Sequence, residues 1–427
     1  MREMKDSGVE WIGEIPSEWD ISKVGYFFEV QLGKMLQPSQ ENHEDTLENY
    51  LCAANVGKNV FKPSPLKQMW FNPNEYSVFD VRNGDLLVVE GGDVASCAIV
   101  NIDNPRVFIQ NALHRVRSKD NSDIRILKYW LWNAKGIGYI DLICNKATIA
   151  HISKEKFISL PYAVIPKLEQ SKIADFLDRK CAEIDAVIEK TKATIEEYKK
   201  LKQSVITEAV TKGICGDRPM KDSGIEWIGE IPAEWDVVKI KTLFDYRNER
   251  NDKPLEEVNL ISLYTDLGVV QHCDLEATTG NKASNADGYK LVYEDDIVVN
   301  IILCWMGAIG RSAYTGVTSP AYDVYSPKEG TNTKFYHHLF RTQGFNGDCY
   351  KVGRGIMAMR WRTYSDQFRA IKVVAPPQEE QQDIVDYLDK KCAEIDTLIA
   401  KKTALLGKME SYKKSVIYEY VTGKKEV

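Results

Sequence analysis

The sequence predicts two α/β (α+β) bodies in tandem, each followed by one long helix, so that the chain is an internal repeat with pseudo-twofold character. Two repeated segments carry this prediction. LDRKCAEIDAVIEK at 177–190 returns as LDKKCAEIDTLIAK at 388–401, 211 residues later. MKDSGVEWIGEIPSEWD at 4–20 returns as MKDSGIEWIGEIPAEWD at 220–236, 216 residues later. At 427 residues the chain is also too long for a single core.

We call the segments 4–20 and 220–236 the leads. Pro16 lies between Trp11 and Trp19, which rules out one uninterrupted helix, so each lead is predicted to be a turn or a short extended segment. We expect it to attach a body to a helix end, with its tryptophans as packing residues. Prolines precede both long helices, and Gly213 and Gly423 follow them, as is typical of helix starts and ends. The predicted boundaries are 1–165 (first body with its lead), 166–213 (first helix), 214–376 (second body with its lead) and 377–427 (second helix).

Both long helices carry a hydrophobic seam in alternating steps of four and three residues. That period of about 3.5 residues is typical of a coiled coil. Lys202 and Lys413 interrupt the seam at equivalent positions, and they indicate either where a partner docks or where the helices splay. A homodimer zipper is one interpretation, but the matched seams favour pairing of the two helices within one chain. The seam residues are Leu177, Cys181, Ile184, Ile188, Ile195, Tyr198 and Val205, and then Leu388, Cys392, Ile395, Ile399, Leu406, Met409 and Val416.

The two bodies, about 21–165 and 237–376, share little sequence. Strand-like runs in the first body fall at 85–90, 98–102 and 107–109, with a helical run at 124–134. The second body repeats this order loosely, with a strand-like run at 296–303 and a helical run at 333–341. Strands with few helices predict an α/β or α+β body in each half.

Composition restricts the class of protein. The chain is 44% hydrophobic and 28% charged, and its polar amino-terminal residues do not resemble a secretory signal, so we expect a cytoplasmic protein with no membrane span. Nine scattered cysteines favour a reducing compartment and argue against a structural zinc site. The net charge of −6 argues mildly against a free-standing DNA binder, unless partners supply positive surface.

Catalytic motifs are missing from the sequence. There is no GxxxxGK[ST] phosphate loop and no GxGxxG after a strand. Asn72-Pro73-Asn74 lacks the second proline and the aromatic residue of an adenine methyltransferase loop, and we interpret it as a turn. The sequence therefore favours a binding and assembly protein with no catalytic residue, cofactor or metal of its own.

Basic side chains in the bodies are the candidate DNA contacts, because arginine and lysine bind phosphates and arginine also reads guanine in the major groove. The strongest group lies in VGRGIMAMRWR at 352–362, among glycines and Trp361. The alternative is a solvated surface with no partner. The candidates are Lys58, Lys62, Arg115, Arg117, Lys146, His151, Arg247, Arg250, Arg311, Arg354, Arg360 and Arg362.

Taken together, these segments resemble the specificity subunit of type I restriction-modification enzymes over almost the full chain. The resemblance lies in the WIGEIP-EW leads, in NYLCAANVG (49–57) and GDLLVVEGGD (84–93) of the first body, and in DDIVVNIILCWMGAIGRS (295–312) and SPAYDVY (319–325) of the second. It lies further in the proline and Glu-Gln entry and the CAEID of both helices.

The resemblance implies two target-recognition domains, each reading one half of a split, asymmetric double-stranded DNA target. It implies that the two helices pack antiparallel as a spacer. Two modification subunits would supply S-adenosylmethionine and adenine methylation, and restriction subunits would supply ATP- and Mg-dependent translocation and cleavage. Two alternatives stay open: a self-contained methyltransferase-nuclease, and a coiled-coil adaptor that does not touch DNA.

Overall fold

The computed structural model describes residues 2–57, 59–103, 106–144, 150–272, 286–355 and 361–427. These form two compact units, one of Met1–Lys192 with Ala404–Val427 and one of Ala193–Thr403. The first unit contains the first body and the second unit contains the second body. Each unit also takes part of both long helices, α6 (Lys167–Lys212) and α11 (Gln378–Val421). In the described residues, no helix is long and apolar enough to cross a membrane.

The first unit is built on an antiparallel sheet of order β10-β9-β12-β4, beside a three-stranded sheet of order β11-β5-β8. Its strands are β1 (Met4–Asp6), β2 (Glu14–Pro16), β3 (Asp20–Lys23), β4 (Phe28–Leu32), β5 (Thr46–Leu51), β6 (Val56–Gly57), β7 (Val60–Phe61), β8 (Lys67–Phe71), β9 (Leu86–Val89), β10 (Cys97–Ile99), β11 (Phe108–Ile109), β12 (Leu113–Ser118) and β13 (Pro161–Val164). Its short helices are α1 (Val24–Phe27), α2 (Tyr76–Phe79), α3 (Ile124–Gly136), α4 (Tyr139–Ile143) and α5 (Lys154–Ile158).

The second unit repeats the central sheet in the order β22-β21-β24-β17. Its strands are β14 (Met220–Asp222), β15 (Glu230–Pro232), β16 (Asp236–Lys239), β17 (Phe244–Arg247), β18 (Ile261–Tyr264), β19 (Gly268–Gln271), β20 (Lys290–Val292), β21 (Ile297–Asn300), β22 (Ile309–Arg311), β23 (Gly316–Thr318), β24 (Tyr322–Pro327) and β25 (Lys372–Ala375). Its short helices are α7 (Ile240–Leu243), α8 (Thr333–Phe340), α9 (Gln343–Val352) and α10 (Ser365–Ala370). The predicted fold class is confirmed, and bodies of unlike sequence share one sheet order.

Each lead is a β-hairpin, β1–β2 or β14–β15, that holds the start of one long helix and the end of the other. In the first unit, Arg2 Cζ lies 5.2 Å from the centroid of the buried Trp19 ring. Trp19 Nε1 donates to the Glu169 carboxylate at the start of α6 (3.1 Å). Lys424, just beyond α11, donates to the Ile12 carbonyl (2.8 Å). The lead therefore attaches both helix ends to the body.

The second lead makes the same contacts in the second unit. Arg218 Cζ lies 5.5 Å from the centroid of the Trp235 ring. Trp235 Nε1 donates to the Glu380 carboxylate at the start of α11 (2.7 Å). Lys212, the last residue of α6, donates to the Ile228 carbonyl (2.9 Å). The repeated tryptophans are therefore packing residues in both units.

The two long helices run antiparallel within each unit. In the first unit, Phe176 of α6 contacts Tyr420 of α11 with ring centroids 4.3 Å apart. Lys413, one of two lysines that interrupt the seam at equivalent positions, pairs with Asp185 on the other helix at 2.7 Å. In the second unit Lys202 pairs in the same way with Asp396 at 2.6 Å. The seam lysines therefore lie where α6 and α11 are joined by ion pairs, and every predicted seam residue is buried or half-buried.

Candidate nucleic-acid interface

Two of the candidate arginines in the first body lie in an internal ion-pair network. The Arg115 side chain is only 3% exposed and donates to the Asp80 carboxylate at 2.7 Å. Arg117 binds Asp85 with two parallel hydrogen bonds of 2.6 and 2.7 Å and also reaches Asp80. Burial raises the pKa of Asp80, but the neighbouring arginines outweigh it and hold that pKa below its usual value. Both guanidinium groups therefore already bind carboxylates within the body, and Arg115 Nε is buried without a hydrogen-bond partner.

The second body uses a different strand for the equivalent ion pair. Arg247 of β17 binds Asp296 with two hydrogen bonds of 2.9 and 3.2 Å, whereas Arg117 lies on β12. Asp85 and Asp296 both directly precede a central strand, and each accepts from the backbone N–H three residues earlier. Arg311 likewise pairs with Asp295 at 2.5 Å. The aspartate therefore lies at the equivalent position in both bodies, and only its arginine comes from a different strand.

Other candidates lie on the surface. Arg354 and Arg362 are exposed and joined by two backbone hydrogen bonds, of 2.8 and 3.0 Å. Lys62 and Arg250 are exposed, and Arg250 donates to the Gly288 carbonyl at 2.9 Å. His151 is exposed and lies 2.9 Å from the Glu90 carboxylate. Lys58, Lys146 and Arg360 lie outside the described residues.

The segment around His151 and the segment around Arg362 occupy the same place in their respective bodies. In the first body, Ile152 N donates to the Glu90 carbonyl (2.9 Å), which ties the segment before α5 to the loop after β9. In the second body, Thr363 N donates to the Ile301 carbonyl (2.8 Å), which ties the segment before α10 to the loop after β21. We call each pair of segments the loop face of its body. It comprises the loop after β9 with His151 and Ile152 in the first body, and the loop after β21 with the end of α9 and residues 353–355 and 361–363 in the second. The two candidate segments that the sequence predicted thus lie at equivalent positions of the two bodies.

The loop faces differ in chemistry although their positions match. In the first body the loop after β9 reads EGGDVAS at 90–96, so it is small and acidic. In the second body the loop after β21 carries Trp305 and Met306, and Arg354 and Arg362 lie on the segment attached to it. Among the described residues no group of three or more His, Cys, Asp and Glu side chains is placed to hold a metal ion.

Comparison with known proteins identifies the family. The model of the type I restriction modification DNA specificity domain matches this chain twice, at 16–197 and 232–406. The chain belongs to this family. The two matched ranges begin 216 residues apart, as the two leads do. As a type I restriction-modification specificity subunit, it carries two copies of the DNA specificity domain.

Relatives agree with this assignment. The specificity subunit of the MjaVIII type I restriction enzyme of Methanocaldococcus jannaschii is 23% identical over 241 residues, which are 55% of this chain and about half (51%) of that protein. A chain solved in work on complex assembly and conformational transition of the type I R-M system has a TM-score of 0.70 at 11% identity, covering 95% of this chain and 98% of that one. The HsdS subunit of Thermoanaerobacter tengcongensis has a TM-score of 0.54 at 13% identity, covering 96% and 98%. At these identities the two comparisons show a shared fold.

The sequence did not predict one feature of the loop face in the second body, a cluster of three aromatic side chains. Tyr350 of α9 stacks on Trp361, with ring centroids 5.0 Å apart and planes 22° apart, and Trp305 approaches Tyr350 at 5.6 Å. The three aromatic residues come from segments up to 56 positions apart, so no local pattern connects them. The tryptophan among the arginines of VGRGIMAMRWR was the only sequence signal of this cluster.

Proposed function

We propose that this specificity subunit reads a split, asymmetric DNA target, with one body on each half. This proposal rests on one observation. The two bodies share a sheet order and a loop-face position, while the residues on the two loop faces differ. Two bodies that share a fold but present different side chains are suited to a DNA target whose two halves differ in sequence. Sequence is read by side chains that reach base edges, so unlike loop faces select unlike bases.

The DNA contacts are proposed to lie on the loop faces and their surroundings. Among the candidates, Arg354, Arg362, Lys62, Arg250 and His151 are exposed, so they can reach a phosphate or a base edge without breaking the body. Arg115, Arg117, Arg247 and Arg311 would have to exchange a carboxylate partner first. Lys58, Lys146 and Arg360 complete the proposed set.

The long helices are proposed to act as the spacer between the half-sites and to dock two modification subunits. At 1.5 Å per residue, the 46 residues of α6 extend about 69 Å. The subunit itself contributes recognition, and the partner subunits contribute S-adenosylmethionine-dependent adenine methylation and ATP- and Mg-dependent translocation and cleavage. Partner surface also supports phosphate binding, which the net charge of −6 does not favour by itself.

Exchange of one body tests the two-reader proposal. Replacing the second body between the second lead and α11 with the body of another specificity subunit is expected to change one half of the methylated sequence and leave the other half unchanged. The measurement is a map of methylated adenines in DNA from cells that express the complete system. A change in both halves, or a map unaffected by the exchange, would contradict the proposal.

Insertion of one heptad into each helix tests the spacer role. Placing the insertions between Asp185 and Lys202 in α6 and between Asp396 and Lys413 in α11 preserves both ion pairs. Seven residues add about 10 Å, so the spacer in the methylated sequence is expected to lengthen by about 3 base pairs. An insertion of one heptad in one helix alone is also expected to alter the permitted spacer. An unchanged spacer with both insertions would rule out the ruler role.

Alanine substitution tests the two exposed arginines. Arg354→Ala and Arg362→Ala are each expected to weaken DNA binding by about 1–3 kcal/mol if the side chain contacts a base, with relaxed specificity at one position. A phosphate contact would instead weaken binding to all sequences and reduce the salt dependence. Titration of a labelled duplex with the assembled complex, repeated at several salt concentrations, measures the affinity and its salt dependence. Lys239→Ala, an exposed lysine of β16 in the same body and outside the proposed set, is the matched control. Unchanged affinity in both loop-face variants would remove Arg354 and Arg362 from the interface.

A further inference from the structure

The second loop face carries an exposed aromatic stack. The Tyr350 ring lies against Trp361 on one side and approaches Trp305 on another, at 60° between planes. Tyr350 is nevertheless 49% exposed, and Met306 beside Trp305 is equally open to solvent. Aromatic side chains contribute large apolar area to interfaces, so an open stack on the surface of a body points to a contact with another molecule.

The stack is held rigidly from below. Trp361 Nε1 donates to the Tyr350 carbonyl at 3.0 Å, and Thr363 Oγ1 donates to the Cys349 carbonyl at 2.9 Å. Gly353 lies directly against Trp361, where a Cβ would overlap the indole ring. The position of the stack is therefore fixed before any partner binds, which lowers the entropy cost of binding.

Two cations accompany the stack. Arg354 and Arg362 are exposed and their backbones are paired, so their side chains originate next to Gly353 and Trp361. Aromatic faces stack on nucleobases, and arginines beside them hold the flanking phosphates. The loop after β9 in the first body contains no aromatic residue, so it has no counterpart of Trp305.

We propose that the Tyr350–Trp361 stack is a wedge that packs against the bases of the half-site read by the second body and unstacks one base step there. Apolar or aromatic side chains that insert between base steps open them at a cost of a few kcal/mol, repaid by the added contact area. The wedge makes the second body sensitive to how easily that step deforms, in addition to its base edges. This inference rests on the proposed DNA-reading function.

The experiment uses the assembled complex and duplexes that contain both half-sites found by the methylation map. 2-Aminopurine replaces, one at a time, each purine of the half-site lost on exchange of the second body, except the methylated adenine and its direct neighbours, because methyltransferases rotate their target base out of the stack. We expect fluorescence at one position to rise several-fold on binding, because 2-aminopurine brightens when it is unstacked. Tyr350→Ala should abolish that rise at saturating protein and weaken binding by about 5- to 150-fold.

Three further variants test whether the loss of the fluorescence rise comes from the missing aromatic ring or from a general disturbance of the protein. Tyr350→Phe keeps the ring and should retain the rise. Arg354→Ala should weaken binding but retain the rise at saturation, and Tyr26→Ala in the first body, also an exposed tyrosine, should change neither. Two outcomes would refute the wedge and leave the two-reader function standing. In one, the complex binds its site but no 2-aminopurine position brightens. In the other, the complex binds its site and Tyr350→Ala leaves the fluorescence rise intact. If no site-specific binding occurs, both are refuted.

Discussion

Trp19→Ala is expected to lower the free energy of unfolding of the first unit by about 3–5 kcal/mol. Trp19 is completely buried, and its ring packs under Arg2 and against the turn at Gly423. The substitution leaves a cavity at the junction of lead, α6 and α11, and it removes the hydrogen bond from Nε1 to Glu169. Urea unfolding combined with hydrogen exchange of peptides from each unit measures the loss.

The repeat offers a matched experiment in the second unit. Trp235→Ala removes the same set of contacts there, to Arg218 and Glu380, and should destabilise that unit by a similar amount. Tyr26→Ala is the control, because Tyr26 is 70% exposed and its truncation should cost less than about 0.5 kcal/mol. A loss below about 1 kcal/mol in both tryptophan variants would mean that the leads are not the attachment points of the helices.

Asp85→Asn is expected to destabilise the first unit by about 3 kcal/mol. Asp85 is buried, and its carboxylate accepts two hydrogen bonds from Arg117 and one from the Arg82 backbone. A neutral amide leaves the Arg117 guanidinium with Asp80 alone, and an undercompensated charge inside a protein is costly. Chemical denaturation of the single variant gives the magnitude.

The double variant shows whether charge is the cause. Asp85→Asn with Arg117→Met should regain most of the lost stability, because an apolar side chain of similar length replaces the stranded charge. Asp20→Asn, at an exposed ion pair with Lys5, is the control and should change stability by less than about 0.5 kcal/mol. If the double variant is as unstable as the single one, packing rather than charge explains the loss.

The repeats made the helices, the leads and the pairing of seams predictable, because a 3.5-residue period is a local property of the sequence. Ion pairing was not predictable. Arg117 and Asp85 are 32 positions apart, and they meet only because β12 lies beside β9 in the sheet. The sequence therefore identifies Arg117 as basic but not as already paired with a carboxylate, so a charge pattern alone overestimates the number of arginines that are free to bind another molecule.

One strand end also differs from its prediction, for a local reason. The apolar run at 296–303 predicts a strand to Leu303, but β21 ends at Asn300. The Asn300 side chain accepts from the backbone N–H groups of Ile302 and Leu303, at 3.0 and 3.3 Å, and so closes a turn in place of the next ladder bonds. That turn begins the loop that carries Trp305.

The division of the chain into units has a consequence for its synthesis. The core of the first unit includes Val416, Ile417 and Val421 of α11, whereas the second unit is complete at Thr403. Domains usually fold in the order in which they leave the ribosome. Here the body that is translated first must wait for the last turns of α11, with part of its apolar surface uncovered, while the body translated second already has all of its own core.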